Sequence, residues 1–395
     1  MNQFILISHI QVQNANAVAG FTWGFPAITH FLGFTHRLAR RLENTDFRRI
    51  TIDGCAVIAH EHQVHTYGKY NDSFTQNRNP PYLHSHDKAS APPVIEEAKM
   101  NLTVSLLIGC EGNIGNQAGD FVAWLTKTCQ MQRLAGGSIL AIESIQICKT
   151  NAPQNRYAIK RKLLPGFILM ERSSSLADHH EKLKHHNPKA EMLDAWLDFA
   201  ALKQQARPKS HLIEQHLKSL RDNGGDAANH LWNDWVTHLG DTPYVPTKIS
   251  VALKQHFASI KADRDHQALL LQWREYLNPT EKTNADWERL PKPETSGYLV
   301  PIMTGYKAIT PLYDNERIAN TRDSETPVCF VEAVHSIGEW RGVNRIRTER
   351  DFEGSLWRYH AEKDWYLCQQ DIELSSIKED EALTLLTNTD DDFDE

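Results

Sequence analysis

The hydrophobic period of the first 150 residues changes in a fixed order, and that order limits the fold more than any other feature of the chain. Residues 3–13 (QFILISHIQVQ) are rich in Ile, Val and Phe and read as a buried strand. Across 27–43, Ile28, Phe31, Leu32, Thr35, Leu38, Ala39 and Leu42 recur at helical spacing behind Pro26, which suits a first helical turn. Arg37, Arg40 and Arg41 lie off that stripe. Residues 50–66 read as a long strand, 67–93 as a polar loop containing Asn79-Pro80-Pro81, and 94–110 as another strand. Residues 117–131 carry Phe121, Val122, Trp124, Leu125 and Cys129 at helical spacing, and 138–148 read as a strand. The order strand, helix, strand, strand, helix, strand predicts an α+β protein with a ferredoxin-like, RRM-like sheet and two helices on one face. That topology serves RNA-recognition modules, metal carriers and acylphosphatases alike, so it leaves function open.

The rest of the 395 residues predicts further domains. The 156–172 stretch brings a basic cluster, including Arg161, and an apolar segment read as one more strand. From about 175 to 290, segments such as HLIEQHLKSL and HLWNDWVTHL are amphipathic helices, and from 297 to about 367 short apolar strands return. The expected division is a core over 1–174 with an insertion at 67–93, a helical block over 175–295, and a strand-rich part over 296–370 packing on the core. A tail over 371–395, acidic and too polar to bury itself, completes the chain.

Charge follows the same division. Residues 379–395 hold eight acids and no base, and setting them aside takes the formal charge from −7 to +1. Residues 1–170 hold 16 Lys and Arg against 11 Asp and Glu, which points to a polyanionic partner for the first part alone. No apolar run approaches the roughly 18 residues that a spanning helix needs, and MNQFILISHI reads as a strand start, not a signal peptide. The six cysteines show no CxxC spacing, which predicts reduced, mostly buried thiols in a cytoplasmic protein with no metal and no other cofactor.

Two loops carry residues suited to RNA. In Arg133-Leu134-Ala135-Gly136-Gly137-Ser138, adjacent glycines let backbone amides approach a phosphate oxygen, and Arg133 and Ser138 add a charge and a hydroxyl. An ordinary helix-to-strand turn is the alternative. In the loop 14–25, Asn14 and Asn16 offer amides for base edges and Trp23 offers a stacking surface, although an aromatic there can equally plug the core. The central strand, 101–109, has no Phe or Tyr, so loops and edges, not aromatic stacking on the sheet, are expected to hold RNA. Among 20 histidines, His60 and His62 are expected on one face of their strand, while the pairs His179-His180 and His185-His186 are expected on a solvated helix face. No HExxH or Cys/His spacing supports a metal site, and a nuclease whose histidine base has sequence-distant partners stays open.

The motifs QNANA (13–17), TWGFP (22–26), FLGF (31–34), RLAGGSIL (133–140), LLPGF (163–167), GYLVPIMTGY (297–306) and TPLY (310–313) occur in that order. Together they resemble the RAMP-superfamily subunit of the type I-F CRISPR surveillance (Csy) complex. The resemblance implies a ferredoxin-like RNA-binding core with a thumb inserted between its second and third strands, where Asn77-Arg78-Asn79-Pro80 matches the family motif. It implies a non-catalytic scaffold that caps the 5′ handle of the CRISPR RNA, with a RAMP-type endoribonuclease as the alternative. The implied partners are the CRISPR RNA, the large subunit and the backbone subunit, with target DNA reached mainly through the assembled complex. Carried onto this chain, the RNA-binding residues are Gln13, Asn14, Asn16, Trp23, Arg37, Arg78, Asn79, Arg133, Gly136, Gly137, Ser138 and Arg161, with no catalytic residue.

Overall fold

The structure is a computed structural model that describes residues 3–69, 73–78, 82–91, 94–240, 249–280, 282–290, 292–293, 297–315, 318–321, 323 and 325–371. It forms two compact units, Met1–Leu176 with Thr295–Glu395, and Ala177–Glu294.

The first unit is α+β and is built on a ten-stranded sheet. Its long strands are β1 (Gln3–Asn16), β2 (Thr51–Val64), β3 (Lys99–Glu111), β4 (Gly137–Lys149), β5 (Phe167–Glu171), β6 (Tyr298–Ala308), β7 (Val331–Gly342), β8 (Trp357–Glu362) and β9 (Trp365–Gln370). A two-residue strand, Arg133–Leu134, opens the sheet, and the order continues β4-β1-β3-β2-β5-β7-β6-β9-β8. The first four long strands are each antiparallel to their neighbours.

Alternation along β1 sends its side chains into two cores. Ile5, Ile7, Ile10 and Val12 pack with Phe31 and Leu38 of α1 (Ile28–Leu42) and with Phe121 and Leu125 of α2 (Ala118–Gln130). Phe4 and Leu6 pack the other way, against Ile159 and Leu163 of α3 (Pro153–Leu163). Each such apolar side chain taken wholly out of water contributes about 1.5–3 kcal/mol. Arg40 and Arg41 close α1 at the end where carbonyls accumulate negative charge. α4 (Ser173–His186) follows β5.

The second unit gathers α5 (Met192–Ala200), α6 (His211–Asn223), α7 (Asp226–Leu239), α8 (Val251–Ser259) and α9 (Gln267–Leu277). Ile213, Leu217, Trp235, Phe257 and Trp273 form its core, with Phe257 and Trp273 stacked at 4.0 Å. α10 (Glu349–Gly354) belongs to the first unit, where Phe352 joins the core beneath α3.

Several expectations need correction. The apolar part of 156–172 is the expected strand, β5, while the basic stretch ahead of it, left without an element, is a helix: Pro153 starts it, and only Ile159 and Leu163 are buried, too few to mark a helical stripe in the sequence. Residues 94–110 break at Ala98, whose carbonyl accepts a bond from Ala17 N–H. The 67–93 segment is not simply loop: Ser73–Arg78 pairs with Thr66–Tyr67 and Val94–Glu97, and Tyr82–Ser85 pairs with Lys88–Ser90. The helical block contains a strand pair, Gln204–Pro208 with Ala285–Arg289. His179 and His180 are not on a solvated face, since His179 lies 2.8 Å from Asp198 and buried His180 bonds the Ala190 carbonyl. The acidic tail from 372 onward lies outside the described residues. All six cysteines are unpaired and four are buried, and burial pushes Cys55 up to about 12. No described helix is long and apolar enough to cross a membrane.

Candidate RNA interface

The end of β1 and the start of β4 form one corner of the sheet. Gln13 faces Ser138 across the β1–β4 pairing, and Ser138 in turn faces Arg133. Asn16 N–H donates to the Ala135 carbonyl at 2.8 Å, tying the two loops together. Gln13, Asn14, Arg133, Gly136 and Ser138 are exposed here. Asn14 has a positive φ of 56°, a conformation Asn tolerates, and its N–H donates to Asn101 Oδ1.

The two glycines have different roles. Gly136 has φ +77° and nothing within 4 Å of an added Cβ, so no side chain stands over this turn, and its carbonyl accepts from the Arg133 guanidinium at 3.5 Å. Gly137 is buried in β4, and a Cβ there would lie 2.6 Å from the Gln13 carbonyl oxygen and 2.7 Å from Ala15 N. Gly137 is therefore explained by strand packing. The Asn16 amide is also engaged, donating to the Val18 carbonyl at 2.8 Å and accepting from Val18 N–H at 3.1 Å.

Trp23 is 50% exposed and meets Phe74 edge-on at 5.3 Å. Phe74 belongs to the strand Ser73–Arg78, so Trp23 neighbours the strand that carries Arg78. Asn79 lies outside the described residues. Arg161 is exposed on α3, where Arg156 is already committed to the Thr150 and Arg347 carbonyls. Arg37 is exposed on α1, in the helical layer over the Ile5–Ile7 core, and is not brought to the same face as α3.

Beside this corner, on the α3 side of the sheet, lie two adjoining hollows of about 720 and 530 Å³ that share Gln11, His60, Glu61 and Thr103. Gln13 borders one and Pro165, just after α3, borders the other. A cluster absent from the sequence motifs forms part of this groove. His60 Nδ1–H donates to the Pro165 carbonyl at 2.7 Å, and its Nε2 accepts from the Ser105 hydroxyl at 2.7 Å. Ser105 Oγ also accepts from His9 N–H at 2.9 Å. Burial pushes the His60 pKa below the ordinary histidine value, against the pull of the Pro165 hydrogen bond, so the neutral imidazole is favoured. His9 Nδ1 lies 2.8 Å from a Glu143 carboxylate oxygen.

The sequence marks His60 by its strand but does not show its setting. β2 is bulged there: Glu61 faces Thr103 and Ala59 faces Val104, which leaves His60 as the extra residue and breaks the expected alternation with His62. Among the described residues no group of three or more His, Cys, Asp or Glu side chains could hold a metal ion.

A family model described as "CRISPR-associated protein (Cas_Csy2)" matches residues 5–234 and 244–368. A protein of Pseudomonas aeruginosa strain UCBPP-PA14, described as "CRISPR-associated protein Csy2", is 28% identical over 378 residues, covering 91% of this chain and 92% of that relative. The matched residues include the β1–β4 corner, the groove and α3.

Proposed function

The chain belongs to the Csy2 family of CRISPR-associated proteins, and on that premise we propose that it is the non-catalytic subunit of a type I-F surveillance complex that holds the 5′ handle of the CRISPR RNA. The observation that carries this reading is the β1–β4 corner. It gathers Gln13, Asn14, Arg133, Gly136 and Ser138 from sequence-distant segments and leaves them exposed. A cation, an open backbone and amides together suit a sugar-phosphate chain with unpaired bases. The order β4-β1-β3-β2 supports a ferredoxin-like RAMP core, and the 67–93 segment, between β2 and β3, supports a thumb.

The subunit pairs with the large subunit at the handle and abuts the backbone subunit. Invading DNA is then read by base pairing to the guide, not by this chain's side chains. Among the described residues, the His9–His60–Ser105–Glu143 cluster is the feature that favours an endoribonuclease instead. Both ring nitrogens of His60 are occupied, however, which supports a structural role.

Co-expression of the full chain with the large subunit and a repeat-containing RNA tests the proposal. The expected product is a particle containing both proteins and intact handle RNA on size-exclusion chromatography. A full chain that elutes apart from the large subunit and RNA would overturn it.

A further inference from the structure

We propose that the groove on the α3 side of the sheet is a base-reading site, selecting an RNA nucleotide that carries an exocyclic amino group over uridine. This rests on the reading of the chain as an RNA-binding subunit and names what that surface recognises.

The groove differs chemically from the corner beside it. Among its lining residues there is no Lys or Arg, while Glu61 and Glu143 are both present. A phosphate is poorly matched to such a floor, because the carboxylates repel it and no Lys or Arg among the lining residues offsets them. The floor asks instead for a ligand that brings N–H donors. Glu61 is exposed and acts on His60 through space, and among the described residues its carboxylate, the Gln11 amide and the Thr103 hydroxyl make no side-chain hydrogen bond. These three side chains stand on three consecutive strands of the sheet: Gln11 pairs with Thr103, and Thr103 pairs with Glu61. One carboxylate acceptor, one amide with both functions and one hydroxyl in a row match the edge of a base, and Asp or Glu pairs with the amino group of cytosine by the same geometry.

Size and surroundings agree. Hollows of about 720 and 530 Å³ that share four residues admit an unstacked nucleotide and not merely an ion. His9, its ring against His60 and its Nδ1 at Glu143, lines the wall, and Leu140, 62% exposed, lines the rim. Cations stand outside the lining: Arg133 faces Ser138, which faces Gln13 at the border of the groove, and Arg161 lies on α3, ahead of Pro165. Phosphate contacts at a rim position the strand, and an uncharged or acidic floor reads it.

The test uses the full chain and a labelled single-stranded RNA of the repeat-derived handle, with each position replaced in turn by uridine. Binding is measured by fluorescence anisotropy at several salt concentrations. In the unsubstituted protein, uridine at one position originally bearing an amino group weakens binding by about tenfold. Glu61→Gln, at an exposed side chain without a hydrogen bond, reduces that discrimination to about twofold or less and leaves the salt slope unchanged. Arg161→Ala weakens all the RNAs alike and lowers the slope by about 0.7. Discrimination that survives Glu61→Gln, or its absence at every position in the unsubstituted protein, would overturn the base-reading site while leaving RNA binding standing. An unsubstituted chain that binds none of the RNAs would remove the RNA-binding reading and this site together.

Discussion

His9 and His60 stack with ring centroids 4.0 Å apart and planes 21° from parallel, although β3 lies between their strands. Ser105 of β3 makes this arrangement work: it accepts from His9 N–H and donates to His60 Nε2. Both histidines sit at register shifts, between Ile7 and Ile10 of β1 and between Ala59 and Glu61 of β2. A bulge re-aims a side chain, and two facing bulges bring these rings together.

His60→Ala should therefore destabilise the first unit. It removes the partner of the Pro165 carbonyl and the acceptor of the Ser105 hydroxyl, a loss of about 1–3 kcal/mol when the abandoned groups stay partly buried. Thermal denaturation followed by circular dichroism should show a lower midpoint, and an unchanged midpoint would mean that the cluster contributes nothing to the fold.

Acid should weaken both units. Burial lowers the pKa of His60 in the first unit and of His216 and His256 in the second, whose Nε2 atoms are 3.0 Å apart. The unfolded chain takes up protons near the ordinary value of 6.5 before the folded one does. Stability contributed by these groups is thus complete above that pH and is lost as pH falls through their lower folded values. Denaturant titrations from neutral to acid pH should show this decline, with a shallower one in His256→Gln. Identical profiles for the two proteins would remove the His216–His256 pair as a cause.

The adjacent glycines should respond differently. Gly136→Ala meets no neighbour but takes on a positive φ, at about 1–2 kcal/mol. Gly137→Ala drives a Cβ into the backbone of β1 and should cost more, with loss of soluble folded protein. Equal denaturation midpoints would show that the β1–β4 contact yields easily.

Glu339 is 1% exposed and is paired with Arg172 and Arg341. Glu339→Ala leaves two guanidinium groups without their shared carboxylate and should cost about 3–5 kcal/mol, the range for breaking a buried pair from one side. Chemical denaturation measures it, and a change below 1 kcal/mol, on the order of an exposed pair, would mean that water replaces the carboxylate.

The long elements of the first unit were legible because they are amphipathic or apolar over many residues. Ile28 to Leu42 announces α1 and QFILISHIQVQ announces β1. α3 was not, because most of its turns carry Arg and Lys with two buried anchors. The corner was legible as residue types, Arg133 and Gly136 beside the amides of Gln13 and Asn14, but the different duties of Gly136 and Gly137 depend on which one lies against β1. The groove was not legible at all. Gln11, Thr103 and Glu61 become neighbours only through strand pairing, and that pairing is set by bulges at His9 and His60 that no local pattern specifies.

The most direct test of the central claim is the affinity of the full chain for labelled CRISPR-repeat RNA against a scrambled RNA of equal length, with and without EDTA, followed by gel analysis of the RNA. The expected result is preferential binding of the repeat RNA, RNA recovered intact under both conditions, and weaker binding with a smaller salt slope in Arg133→Ala. Equal affinity for the scrambled RNA, or cleavage at a single bond that disappears in His60→Ala, would contradict it.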